Sequence, residues 1–258
     1  MYYPIQTPHI LNKEFSENIA YSEELCEEFN GFAICLWTMQ SLTEHNLSVK
    51  NIIVADGCID LVVDFNKRAI GFAGMGKTDF NFVIDLPTQN MGIRMMPGAF
   101  YQLTGLVASA AMDNFLEIEK VFPEFERDLF WNLSFEKARE YLKNFFAKKV
   151  KEKRPDEFTS LFHALSDNLP ESARELYKML NFSPRQCQRL FAKHYGISPK
   201  MVLSIVRFQK CLEMLISAKT KPIDILCVTN YYDQPHFIND FRHNIGLTPL
   251  EFVQAYRG

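Results

Sequence analysis

Long apolar runs, clustered histidines and paired cysteines are all missing from this sequence of 258 residues. The apolar-rich stretch Leu103–Met112 has about half of the ~20 residues that a bilayer-spanning helix needs. The first fifteen residues carry neither the basic nor the apolar region of a secretory leader. Both features predict a cytoplasmic protein with no membrane partner. The six cysteines (Cys26, Cys35, Cys58, Cys187, Cys211 and Cys227) form no C-x-x-C pair, which predicts reduced thiols rather than a zinc site or a redox couple. Only His9 and His45 precede residue 150, so the clustered His/Glu set of a metal-dependent β-barrel enzyme is missing. No G-x-S-x-G elbow for acyl transfer occurs either. The expectation is a protein without an active site, a metal or a cofactor.

What is present is an ordinary globular composition, 47% hydrophobic and 23% charged, which excludes disorder. Charge is unevenly spread. Residues 1–150 carry a net charge of -7 and residues 151–258 one of +4, so only the second half suits a nucleic acid. From Phe32 to Phe100 short β-branched and aromatic segments alternate with Gly, Asn, Asp and Pro: Ile52–Asp56, Ile59–Phe65, the alternating Phe80, Phe82, Ile84 and Leu86, and Met91–Met96. From about Ser109 apolar residues fall at helical spacing, first Phe115, Ile118 and Val121, then Ala138, Tyr141, Leu142, Phe145 and Phe146. The charged run Lys148–Pro155 marks a linker. These patterns predict an α+β chain of two domains. Residues 1–150 form a β-barrel or sandwich-like domain with helices at its end, and 151–258 form an all-helical domain.

The last hundred residues contain an internal repeat. Ser183–Pro199 aligns without a gap on Asp233–Pro249, a shift of 50 residues that superposes Phe191 on Phe241, Gly196 on Gly246 and Pro199 on Pro249. Each copy opens on a helix N-cap, Ser183 or Asp233, and closes on a glycine suited to a C-cap. A proline then starts the next helix. A short apolar helix precedes each copy, around Glu171–Leu180 and Pro222–Thr229, joined through Asn181 or Asn230. Two helix–turn–helix units are therefore predicted, at about 171–195 and 222–245, linked by a helix over about 199–217. In the first, Cys187, Leu190, Phe191 and His194 share the inner face, while Arg185, Gln188, Arg189 and Ala192 point away. In the second, Phe237 and Phe241 turn inward, and Pro235, Ile238, Asn239 and Arg242 outward. Arg, Gln and Asn read base edges bidentately, and an outward Ile meets a thymine methyl. Lys193, Arg242 and His243 sit where phosphate is the nearer partner, while His236 and His243 also fit ordinary solvated positions. The connecting helix would measure roughly 28 Å, against about 34 Å for a turn of B-DNA.

At these residues the chain resembles the AraC/XylS family of bacterial transcription regulators. Tyr231–Pro249 looks like that family's C-terminal motif, Arg207-Phe-Gln falls in its connecting helix, and the resemblance covers about residues 157–258. Asn230 stands where the family usually has Gly, and Asn239 where it often has Arg. The resemblance implies sequence-specific binding to double-stranded promoter DNA through Arg185, Gln188, Arg189, Lys193, Gln234, Pro235, His236, Ile238, Asn239 and Arg242. Contact with RNA polymerase is a further implied partner. Asp56–Val63 and Met91–Gly98 resemble the β-rich sensor domain of one branch of the family, which implies a small-molecule effector or dimerisation. Arg94 is the candidate effector contact. It is basic within an apolar strand, as Asp60 is acidic within another, and the two either meet a polar ligand or pair structurally. The apolar stripe of residues 136–150 is either intradomain core or the seam of a homodimer.

One motif points elsewhere. Gly71–Thr78 fits G-x-x-x-x-G-K-[ST], a phosphate-cradling loop that would use Lys77 and Thr78 in a nucleotide-dependent switch. That chemistry needs a helix after the loop. Residues 79–87 instead place Phe80, Phe82, Ile84 and Leu86 at a period of two and end at Pro87, the pattern of a strand. A β-turn is the expectation here. A protein-interaction module without specific DNA binding is the other alternative.

Overall fold

The computed structural model describes residues 2–6, 11–74, 81–112, 114–216, 231 and 233–257. Helix α1 (Lys13–Asn18), capped by Asn12, leads into β1 (Ile19–Leu25), β2 (Ala33–Ser41), β3 (Leu47–Ile52), β4 (Ile59–Asp64), β5 (Ala69–Gly74), β6 (Asn81–Leu86) and β7 (Gln89–Met95). After α2 (Ala99–Thr104) a short β8 (Phe115–Glu117) completes an antiparallel six-stranded sheet of order β1-β2-β7-β4-β5-β8, beside a β3-β6 ribbon. Strand β4 shows why: Ile59, Leu61 and Val63 are buried while Asp60, Val62 and Asp64 are half-exposed, the alternation of a strand with one covered face. The ribbon packs on the β1–β2 edge of the larger sheet through Phe15, Ile19, Val49 and Leu86. Gly92 in β7 leaves room for the Trp37 indole, which a Cβ there would approach to 2.5 Å.

Helices α3 (Arg127–Trp131) and α4 (Phe135–Val150) close the N-terminal half. In α4, Ala138, Leu142, Phe146 and Val150 are buried in the chain's own core. Tyr141 and Phe145 pack edge-on against Phe125 at 5.6 and 5.1 Å. The stripe thus forms intradomain core, the first of the two readings.

Two segments depart from the sequence reading. Residues 53–56 are not strand, because their backbone groups bond to side chains instead of a neighbouring strand: Val54 N–H donates to Gln6 Oε1 at 2.9 Å, and Ala55 O accepts from Gln209. Phe115–Val121 is not helix. Phe115–Glu117 pairs with Gly71–Ala73 of β5, and only one 3₁₀ turn comes after it, Ile118–Lys120.

The C-terminal half is helical: α5 (Glu157–Asp167), α6 (Ala173–Met179), α7 (Pro184–Tyr195), α8 (Pro199–Ile216), α9 (Gln234–Ile245) and α10 (Pro249–Arg257). The expected helix at Pro222–Thr229, with Asn230, lies outside the described residues. Two apolar clusters hold this half. One is continuous with the sheet core and includes Leu176, Phe191, Val202 and Val206; the other gathers Phe208, Leu212, Phe237, Phe241 and Phe252.

Candidate DNA interface

Helix α7 is defined by its ends. Ser183 accepts from Gln186 N–H while the Gln186 side chain accepts from Ser183 N–H, a reciprocal capping box, and Pro184 occupies the first turn. Asn181 before it takes the left-handed conformation (φ 54°), and Gly196 after it does the same at 71°. Between these stops Cys187, Phe191 and His194 are buried, and Arg185, Gln188, Arg189 and Ala192 are exposed. The opening of α7 thus presents two guanidinium groups and an amide to solvent. Gln188 Nε2 donates to the hydroxyl of Tyr177 on α6 at 3.4 Å, which orients its amide.

Helix α9 repeats the arrangement. Asp233 accepts from His236 N–H at 2.8 Å, and Gly246 closes the helix at φ 75°. Gln234, Pro235, His236, Asn239, Arg242 and His243 are exposed, and Ile238 is half-buried. Tyr231 braces the inner side: its hydroxyl donates to Asp240, its ring meets His236 edge-on at 5.3 Å, and Arg207 of α8 lies over it at 5.4 Å. Burial pushes the Tyr231 phenol up, with nearby Cys211 and Asp240 adding to the shift, so it stays a donor. Among the described residues none of Arg185, Arg189 and Arg242 has an ion-pair partner. Arg242 still acts on Glu251, whose carboxyl is held below its usual range mainly by Thr248 and in smaller part by Arg242. Helix α8, with 18 residues and about 27 Å of rise, joins the two units.

Lys193, expected at phosphate, is half-buried, with Nζ 4.5 Å from the Tyr101 ring of α2. The end of α7 is docked on α2 of the N-terminal half and on α5. His194 stacks on Phe158 at 4.0 Å and meets Tyr101 at 4.6 Å. Tyr195 donates to Phe158 O at 2.6 Å. Burial lowers the pKa of His194, partly offset by Asp156, which keeps the imidazole neutral in this seam.

Arg94 sits at the centre of a buried ionic cluster. Nη1 donates to Glu23 at 2.7 Å, Nη2 to the Tyr21 hydroxyl at 3.3 Å, and Nε lies 3.7 Å from Asp56 and 3.8 Å from Asp60. Trp37 Nε1 donates to Asp60 at 2.9 Å. Asp60 faces Arg94 across the β4–β7 pairing, so the structural pairing left open by the sequence is formed. Burial, opposed by Arg94 and reinforced by Asp56, pushes the Asp60 carboxyl up to about 7. Lys77 and Thr78 of the phosphate-loop motif lie outside the described residues; Gly71–Gly74 belongs to β5, and the next described segment, β6, is a strand. No group of three or more His, Cys, Asp or Glu among the described residues could hold a metal ion, and no described helix is long and apolar enough to cross a membrane.

Sequence reasoning gave Gln6, Val54 and Gln209 no part in joining the halves, although Gln209 ends the Arg207-Phe-Gln stretch. Gln209 accepts from Ile5 N–H at 2.7 Å and donates to Ala55 O at 2.9 Å. The one signal for it was an uncharged polar residue in the otherwise apolar stripe of α8.

Two family models match the chain: a helix-turn-helix domain over residues 176–255, and a domain of unknown function (DUF6597) over residues 26–117. No curated protein matches it at a significant level. Among solved structures, the C-terminal domain of AraT, a response regulator from Geobacillus stearothermophilus, is 24% identical over 37% of this chain and 79% of that one, with a TM-score of 0.32. ToxT from Vibrio cholerae O395 is 12% identical over 93% of this chain and 97% of its own, with a TM-score of 0.39. Wild-type ToxT from Vibrio cholerae strain SCE256, in an unsaturated fatty acid bound form, is 9% identical over 92% and 93%, again with a TM-score of 0.39. At these scores the likeness assigns neither ligand nor partner to this chain. The helix-turn-helix model matches the very residues that form the capped repeat, so residues 176–255 carry a helix-turn-helix domain, with a DUF6597 domain ahead of it over residues 26–117.

Proposed function

We propose that the chain reads a two-part promoter site, with α7 and α9 entering successive major grooves on one face of the duplex. The observation that carries this reading is the pair of equivalent helix faces, Arg185, Gln188 and Arg189 on one and Asn239 and Arg242 on the other, all exposed at the two ends of α8. Arg189 and Gln188 suit guanine and adenine edges, Asn239 suits adenine, and Ile238 a thymine methyl. Gln234, Pro235 and His236 border the second contact, and Arg242 takes a phosphate. Residues 1–150 act as the regulatory domain and 151–258 as the DNA-binding domain. An effector, a homodimeric state and contact with RNA polymerase complete the proposed scheme. An effector reaching Arg94 must displace one of the carboxylates that already hold it.

Selection of duplexes from a random library by the full chain at physiological salt tests the scheme. The expected product is a site with two elements whose centres lie about 10 bp apart. Enrichment of one short element would refute reading by both units, and no enrichment would refute specific DNA recognition by this chain alone.

A further inference from the structure

The two reading units are supported differently. The first rests on the sheet domain through the end of α7, whereas the core of the second is completed by residues from the chain's other end. Val54, fully buried, lies in one apolar cluster with Phe208, Leu212, Phe237 and Phe241, and Ile5 packs against the same cluster. A polar frame fixes Val54 there. Gln6 Oε1 accepts from Val54 N–H at 2.9 Å, and Gln6 Nε2 donates both to Val54 O at 2.9 Å and to Asp56 Oδ2 at 2.8 Å. Gln209 ties Ile5 and Ala55 to the middle of α8, and Tyr2 donates to Asp56 O at 3.0 Å. Gln209 is 5% exposed, so these bonds are shielded from competing water and are costly to leave unmade.

We infer that residues 2–6 and 54–56 are working parts of the second helix–turn–helix unit: Val54 completes the apolar bed under α9, and the Gln6–Asp56–Gln209 frame sets its position. The function assigned to this N-terminal clasp is to make the second unit rigid enough to read its half of the site, and this rests on the reading of α9 as a DNA-facing helix. Asp56 also lies 3.7 Å from Arg94, so the ionic cluster of the sheet domain is one contact away from the clasp. Removing the Val54 side chain leaves a cavity in this cluster, so the expected loss falls on α9 rather than on α7.

The test is hydrogen exchange of the full chain without DNA, comparing wild type with Val54→Ala and Gln209→Ala. Val49→Ala is the control: Val49 is equally buried but belongs to the separate cluster with Phe15, Ile19 and Leu86. The expected result is exchange about tenfold faster in α9 and α10, with α7 unchanged, in both clasp variants and not in the control. Equal acceleration of α7 and α9, or no change in either, overturns the inference. Should Val54→Ala fail to fold, Gln6→Ala removes the Gln6 bonds of the frame and leaves the apolar contact, and the same two outcomes apply. On a two-part site selected by the wild type, the clasp variants should protect only the element read by α7, and protection of both elements at wild-type strength overturns the inference. A wild type that selects no site refutes the DNA reading while leaving the exchange result to judge the clasp.

Discussion

Gly196 and Gly246 occupy equivalent positions in the repeat, each closing a recognition helix in the left-handed conformation, at φ 71° and 75°. Alanine at either position takes on left-handed strain of about 1–2 kcal/mol. Their surroundings differ. A Cβ on Gly246 meets nothing within 4 Å, whereas one on Gly196 would lie 2.1 Å from Met112 Sδ and 3.2 Å from the backbone nitrogen of Ser109. Methionine is flexible, but Met112 is only 4% exposed, so moving its sulfur compresses other side chains. Overpacking of this kind costs about 1–3 kcal/mol. Gly246→Ala is therefore expected to lose about 1–2 kcal/mol and Gly196→Ala about 2–5 kcal/mol. Urea unfolding of the full chain measures both, with an unchanged slope as the sign that only stability has moved. A double-mutant cycle with Met112→Ala isolates the contact, and a coupling of about 1–3 kcal/mol is expected at Gly196 with none at Gly246. Equal losses for the two glycine variants, or no coupling with Met112, would refute the docking of α7 on the sheet domain.

Arg189→Ala should lose about 1–3 kcal/mol on the selected site and relax the preference at one base pair, whereas Arg242→Ala should weaken all sequences alike and flatten the salt dependence. Equal losses on every sequence for both variants would contradict that division. Lys193→Ala should leave the salt slope closer to wild type than Arg242→Ala does, because its ammonium group rests on Tyr101; equal slopes from binding isotherms at several salt concentrations would return Lys193 to the phosphates. The Asp60 carboxyl is raised from its ordinary 3.8 to about 7, so it stabilises the fold when protonated. That contribution is complete below its unfolded pKa and is lost as the pH rises through the folded one. Thermal melts should therefore show higher stability at pH 5.5 than at pH 8, and Asp60→Asn should flatten that difference. An unchanged difference in the variant would assign the effect to another group.

The parts of the fold that were legible are those written in local chemistry. Ser183, Asp233, Gly196 and Gly246 cap helices through groups within one turn of themselves, and the recognition faces come from a period of 3.6 residues. Arg94 and Asp60 were legible as charges among apolar neighbours, but Glu23 and Asp56 were not, since the cluster exists only once β1, β4 and β7 are assembled. The misread segments have partners far away in sequence. Phe115, Ile118 and Val121 fit a helical spacing, yet the pairing of Phe115 with Ala73 prevails. Ile52–Asp56 has the composition of a strand, but Gln6 and Gln209 take up its backbone groups. The stripe of α4 was visible, while which surface it meets depends on Phe122, Phe125 and Phe130. Lys193 and Tyr101 are ninety-two positions apart, and nothing local to α7 announces that neighbour.

The bond between Ile5 and Gln209 spans 204 positions, and this ordering matters while the chain is being made. Val54 leaves the ribosome long before Phe208 and Phe241 exist to cover it. At bacterial or eukaryotic synthesis speeds of about 5–20 residues per second, the roughly 150 residues between Ala55 and Gln209 take on the order of 8–30 s to appear. Throughout that interval Gln6 and Tyr2 can already serve Val54 and Asp56, while the Val54 side chain and the Ala55 carbonyl face water until α8 is made. The clasp is therefore completed only once the connecting helix emerges, and a chain stalled before residue 209 is expected to leave the Val54 seat uncovered.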